Sequence, residues 1–334
     1  MPLRPERDKP DLAGVVVLDK PSGISSFDVV RRVKRHLTGV RVGHVGTLDP
    51  LATGVLPVCV GEATKLIDYM DLEWKQYQGV LVLGRITDTW DVEGRTIETR
   101  EVPHFPPSLL QERFAEFEGV YCQQVPVFSA VKVAGRPLYA YARKGRKVEA
   151  PFRNVTIRSF RLVRAEGREL AFDLVCGKGT YVRSLVQALG SRLGCGACLA
   201  SLRRIRSGRF RIEEALDLEM LEASLASGSW PGFVLSLEQV LSHLEAVDVP
   251  LQAERKALNG NRLSSRDMDL SWPEEGFASR VGKKVRIRVR GRLVGIGELR
   301  KENEDYYLQP VRMIDWGSIL RESGGGPTGE EQSE

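Results

Sequence analysis

A chain of 334 residues, 42% hydrophobic and 28% charged, is long enough for two folded units and too apolar for general disorder, since single cores seldom grow past roughly 250 residues. Its net charge of +5 does not identify a partner, because an anionic ligand responds to local clusters of cations. The five cysteines are scattered, and only Cys195 and Cys198 stand as Cys-x-x-Cys. A zinc ribbon needs a second such pair, so buried thiols are expected, with a metal or redox pair as the alternative. The opening MPLRPERDKPDLAG has no apolar core of signal-peptide length, and no run of about 18 apolar residues exists, so the cytoplasm is the expected compartment.

In chain order, GVVVLD at 14–19 reads as a buried strand and KPSG as a turn. Ser25 or Ser26 then caps a helix in which Phe27, Val30, Val33 and Leu37 recur at helical spacing, with Asp28 in its first turn. Residues 41–57, dense in Gly, Pro and Thr, predict a long shaped loop. YQGVLVL at 77–83 predicts a strand, GRITDTWDVEGR a polar loop, and LLQERFAEFEG a helix. Strands are predicted at 155–164 and 170–176. A helix follows within GTYVRSLVQALGSRLG, with Leu185, Leu189 and Leu193 on one face. Many strands and few βαβ units predict an α+β fold: a mixed, largely antiparallel sheet flanked by helices, not a doubly wound one. From 246 onward, short strands between Gly and Asn turns predict a small β-barrel unit reaching 317, and 318–334 reads as a disordered tail.

Basic residues gather in three runs: ten Lys or Arg against Glu149 between 128 and 164, with Tyr139, Tyr141 and Phe152 interleaved; then 203–211; then 280–292. A solvated surface is one reading of each. Together they favour nucleic acid, and RNA over duplex DNA because no helix-turn-helix or zinc-finger signature appears.

Familiar catalytic motifs fail. GKGTY lacks the first glycine and the final Ser or Thr of a phosphate loop, and there is no G-x-S-x-G, H-E-x-x-H or Rossmann fingerprint. What remains is Asp49 in GHVGTLDPLATG, either a preorganised carboxylate or an Asx-turn before Pro50; spacing alone leaves both open.

KPSGISS, GHVGTLDPLATGVLPVCVGEATK, KQYQGVLVLGRITDTWDVEG and GKGTYVRSLVQALG occur in unbroken order and closely resemble the bacterial tRNA pseudouridine-55 synthase family, often called TruB, across 14–245. More loosely, ALNGNRL and the closing strands resemble a PUA domain over 246–317. The resemblance implies a catalytic domain over 1–245 that turns uridine 55 of the tRNA T-loop into pseudouridine without metal or cofactor. It implies a monomer needing no protein partner or membrane. Asp49 falls on the family's essential aspartate, Arg183 on the arginine that pairs with it, and Tyr77 on the tyrosine that stacks on the target base and is a candidate to deprotonate C5. His44 matches a residue that keeps loop nucleotides extruded, Tyr181 and Leu202 line the uracil pocket, and Lys20 with Pro21 supports the catalytic loop. The insertion at about 123–152, carrying Arg143, Lys144, Arg146 and Lys147, matches the family's mobile clamp on the T-arm, to which the whole basic stretch 128–164 is assigned. Thr47 is a small departure beside the site, and the tail after 317 has no assigned counterpart. The rival readings are a guide-dependent synthase, a non-catalytic RNA-binding protein or folding chaperone, and a glycoside hydrolase, which would want two nearby carboxylates.

Overall fold

The computed structural model describes residues 13–315 apart from 147, 229–231, 269–273 and 304. The expected disordered tail and the N-terminal dozen therefore lie outside the described residues, as does Lys147. The first strand, β1 (Gly14–Lys20), leads through the KPSG turn into α1 (Ser26–His36). Ser25 is the N-cap, and its hydroxyl and Asp28 form a capping box, which fixes the helix start and its rotation. That rotation buries Ser26, Val29, Val30 and Val33 and leaves Phe27 66% exposed. The predicted stripe through Phe27 is thus corrected: Val29 holds the inward position, and Phe27 lies on the solvent side.

The predicted 41–57 loop is also shorter than expected. β2 (Val42–His44) and β3 (Thr53–Val60) take up both ends, leaving residues 45–52 as the loop. Within β3, position 54 requires glycine, because a Cβ there would sit 2.2 Å from the Arg204 carbonyl oxygen and its φ is +99°. β4 (Trp74–Leu83) runs longer than predicted, and the following polar segment folds back as the hairpin β5 (Arg85–Thr87) and β6 (Thr96–Thr99). After α2 (Pro107–Ala115) come β7 (Gly119–Gln124) and a small excursion with β8 (Lys132–Val133), β9 (Arg136–Pro137) and α3 (Leu138–Ala142). β10 (Phe152–Glu166), β11 (Glu169–Gly177), α4 (Val182–Arg192) and β12 (Ala197–Ser207) complete the centre. β13 (Phe210–Arg211), β14 (Leu216–Asp217), α5 (Leu218–Ala226) and α6 (Leu237–Val240) follow.

Among the described residues the main sheet has ten strands, in the order β14-β1-β3-β12-β4-β11-β10-β7, with β13 on β12 and β2 on β3. Only β1 with β14 and β3 with β12 run parallel, so the sheet is mixed and largely antiparallel as expected. Period-two alternation sends Leu18, Leu56, Leu81, Phe172 and Leu174 to one face, where α1, α2, α4 and α5 cover them with Val33, Phe114, Leu185, Leu189 and Leu221. On the opposite face, among the described residues, a second buried cluster centres on β1 and β3. There Val15, Val17, Val55 and Cys59 meet Leu237, Val240, Leu293, Ile296 and Ile314.

The last three belong to or border a second, five-stranded sheet, in the order β15-β17-β18-β19-β16. Its strands are β15 (Ala246–Val249), β16 (Leu263–Ser264), β17 (Lys284–Val289), β18 (Arg292–Glu302) and β19 (Asp305–Met313). It curls around its own core of Val247, Ile287, Val294 and Leu308. Two of the basic runs change meaning here. The 280–292 run has no acid in sequence, yet Arg280, Lys284, Arg286, Arg288 and Arg290 pair with Glu245, Glu298, Glu238, Asp248 and Glu254. The run at 128–164 divides: its first half lies in the β7–β10 insertion, while Arg153, Arg158, Arg161 and Arg164 ride on β10 itself. Assigning the whole stretch to a mobile insertion is therefore corrected.

Candidate active site

The 45–52 loop is held from three sides. Ser26 Oγ accepts from the Leu48 amide at 2.8 Å and donates to its carbonyl at 3.0 Å. Lys20, fully buried, donates to the Pro21 and Pro50 carbonyls at 2.7 and 3.2 Å, and Gly23 N–H also donates to Pro50 O. Arg204, equally buried, donates to Gly46 O and Val55 O. With Leu48 and Ala52 buried at its base, the loop has little freedom at Asp49.

The Asp49 side chain is engaged elsewhere than in its own turn. Arg183 Nε and Nη2 donate to its two oxygens at 2.9 and 3.0 Å, and among the described residues the Asx-turn alternative finds no backbone donor to this carboxylate. The fork itself is anchored: Nη1 donates to Thr89 O at 2.9 Å and Nη2 to Phe128 O at 3.1 Å. The arginine side chain is 5% exposed and Asp49 37%, so a buried, oriented cation presents a reachable carboxylate.

A second aspartate, absent from the sequence reading, faces the same guanidinium. Asp91 Oδ2 lies 3.5 Å from Arg183 Nη1, and its other oxygen accepts from Thr89 Oγ and Glu93 N–H. The loop that carries it is strained: Trp90 adopts φ +64°, held by hydrogen bonds of Trp90 and Val92 with Leu199 on β12.

Tyr77 on β4 is buried between its cross-strand neighbours Leu174 and Arg204, and burial pushes its phenol above the ordinary range. It therefore rests as the neutral phenol. Tyr181 is half-buried at the N-cap of α4. Its amide donates to Gln123 Oε1 at 3.0 Å, and Gln123 in turn donates to Gly179 O. Burial raises the Tyr181 phenol, partly offset by a hydrogen bond with Ser129. Leu202 is buried two residues before Arg204 on the same strand. His44 on β2 is half-buried, and burial with the nearby Arg204 charge lowers its pKa, so it is neutral at pH 7.

The β7–β10 insertion has a small core of Val125, Leu138 and Ala150, against which Tyr181 packs. Its cations Arg143, Lys144 and Arg146 are exposed, with Arg143 lying 5.5 Å over the Tyr139 ring; Lys147 is outside the described residues. Asp49, Arg183, Lys20, Tyr77, Tyr181 and Leu202 thus gather around one loop. Among the described residues, no hydrogen bond or ion pair joins His44 or the insertion's cations to the Asp49–Arg183 pair. Asp91, Gln123, Ser26 and Arg204 were missed. Period-two reading of LRRIR would have exposed Arg204, which shares the inward face with Leu202; no local pattern marks the other three.

Residues 34–182 match the model of the TruB family pseudouridylate synthase N-terminal domain, and 183–247 that of the tRNA pseudouridylate synthase B C-terminal domain. The chain is 38% identical to tRNA pseudouridine synthase B of Heliobacterium mobile over 94% of its own length and 99% of the relative's. It is 38% identical to the Geobacter sulfurreducens protein of the same name, covering 85% and 93%. In fold it is similar to a chain in the structure of an H/ACA ribonucleoprotein bound to a substrate RNA containing 2′-deoxyuridine, with TM-score 0.66, 22% identity and coverage of 92% and 91%. With adjacent family models matched over 34–247 and a relative at 38% identity covered over 99% of its length, the chain belongs to the TruB family of pseudouridylate synthases.

Proposed function

We propose that this chain isomerises uridine 55 in the T-loop of tRNA, with Asp49 as the acting carboxylate. The observation that carries the reading is the pairing of a reachable Asp49 with a buried Arg183, itself anchored to two backbone carbonyls, beside two tyrosines and an apolar wall. The reaction breaks the N1–C1′ bond, joins C5 to C1′, and moves the C5 proton off while N1 gains one. It is redox-neutral and balances without a cofactor. A carboxylate fixed by a planar fork can attack C1′ or C6, or take the C2′ proton, and each route needs the same orientation.

Leu202 and Tyr181 would wall the uracil, and Tyr77 would lie against its ring. The raised phenol of Tyr77 favours that stacking role over that of a resting base for C5. Lys20 would serve beneath the loop, and neutral His44 would hold neighbouring nucleotides out of the stack. Arg143, Lys144, Arg146 and Lys147 would close on T-arm phosphates, with insertion 123–152 as the clamp and 246–317 as a PUA-like second contact. Extrusion of a T-loop base costs only a few kcal/mol, because that nucleotide is already outside a regular duplex.

The enzyme would act as a monomer in the cytoplasm on bare tRNA, without a guide. Among the described residues no helix is long and apolar enough to cross a membrane. Base-resolution mapping of unmodified tRNA treated with the purified protein tests this: pseudouridine at position 55 alone is expected. Modification that requires an added guide or protein would favour the guide-dependent reading. Tight tRNA binding with no pseudouridine would favour the chaperone reading.

A further inference from the structure

Arg158 and Arg161 of β10 open onto the face of the sheet that the helices do not cover. Gln76 and Val175 alternate with Tyr77 and Leu174, so they point away from the Asp49 side of the sheet. Around them lies a groove of about 320 Å³ lined by Trp74, Arg158, Ser159, Arg161, Val175 and Arg206. Among the described residues, the cluster that joins the second β-sheet to the first includes Val15, Val17, Val55 and Cys59 of β1 and β3 and none of the groove-lining residues.

No carboxylate lines the groove. Arg158 lies 5.7 Å over the Trp74 ring, and among the described residues neither Arg158 nor Arg161 forms an ion pair. Asp173, the cross-strand neighbour of Arg161, accepts instead from Gln76 Nε2 at 3.0 Å. Arg206 Nε is bound to Gly208 O, which fixes the direction of its guanidinium. Lys75 is aimed elsewhere, its ammonium lying 3.6 Å from where a Cβ on Gly46 would sit. The contrast with 280–292 is informative. There, carboxylates from other elements pair with five of the seven cations, whereas here an indole and arginines without ion pairs remain together.

We infer that this groove binds a single-stranded RNA segment, with its phosphates on Arg158, Arg161 and Arg206 and one unpaired base on Trp74. Arginines without an ion pair gain from phosphate through counterion release, and an indole framed by a guanidinium is a stacking platform for any base. Acidic protein is a poorer match, because a carboxylate chain leaves the Trp74 face unused. The site is separate from the catalytic cleft and does not depend on the isomerisation proposed above.

The test uses oligoadenylate as the probe and full-length protein whose cleft is filled by a T-arm hairpin. Wild type should still bind oligoadenylate. The double variant Arg158→Ala, Arg161→Ala should bind it about tenfold more weakly, with the salt slope reduced by about 1.4, roughly 0.7 for each single-strand phosphate no longer neutralised. Trp74→Leu should weaken binding without changing that slope. Hairpin turnover by the double variant should stay within about twofold of wild type, which reports an intact fold. Displacement of oligoadenylate by the hairpin, unchanged binding by the double variant, an equal loss with both ligands, or polyglutamate competing as well as RNA would each overturn the assignment.

Discussion

The loop at 45–52 and the loop at 88–95 each bring one aspartate to Arg183, yet they hold it differently. Asp49 sits 37% exposed on a loop tied down through its backbone, and Arg183 occupies both of its oxygens. Asp91 is 7% exposed, with one oxygen taken by Thr89 Oγ and the Glu93 amide and the other at the longer distance of 3.5 Å from Arg183. The first arrangement leaves a carboxylate reachable from solvent. The second places countercharge beside the cation that holds it. With Asp49 as the proposed acting carboxylate, Asp91 would be a positioning residue, and substitutions on the two sides of Arg183 should separate activity from stability.

Asp49→Asn should have the largest effect, lowering isomerisation by at least about 10⁴-fold. Its partly exposed pair should cost about 1 kcal/mol or less on chemical denaturation. Arg183→Lys keeps the charge and loses the fork, so turnover should fall about 10²-fold. Stability should drop by about 1–3 kcal/mol as the Thr89 and Phe128 carbonyls lose donors. Asp91→Asn retains acceptors for Thr89 and Glu93, and kcat should fall about tenfold with KM little changed. If Asp91→Asn proved as damaging as Asp49→Asn, the division of labour between the loops would collapse.

A smaller effect should appear in the pH profile. Desolvation pushes the Lys20 ammonium down to about 8 from its ordinary 10.5, against an opposing pull from Asp49. Between those values the unfolded chain keeps a proton that the folded chain releases, so this group's contribution to stability rises with pH across the window. Over the same window the folded enzyme loses a positive charge beneath Asp49. The neutral amine can still donate to both Pro21 O and Pro50 O. An alkaline limb of about threefold in kcat/KM centred near pH 8 is expected, and Lys20→Met should remove it.

Legibility in the sequence followed how local the determinant was. The β-branched run of GVVVLD, the partial alternation of YQGVLVL and the 3.6-residue spacing in α4 identify elements whose signal lies within a few residues, and the mixed sheet follows from their order. Phe27 was misplaced because the Ser25–Asp28 capping box, and not the apolar spacing alone, sets the rotation of α1. Asp49, Tyr77 and Arg183 stood out through motif context. Asp91 did not, since its relation to Arg183 spans 92 positions and depends on the positive φ of Trp90. Charge runs were the least legible. Acid-free windows at 280–292 and on β10 look alike in sequence, and only tertiary pairing separates a neutralised strand from an open one.

The most direct measurement is single-turnover conversion of a T-arm hairpin by Asp49→Asn at saturating protein, alongside its equilibrium affinity. Catalysis by Asp49 predicts wild-type affinity with no pseudouridine formed. Pseudouridine appearing at a rate within about tenfold of wild type, or a loss of binding large enough to explain the lost rate, would contradict it.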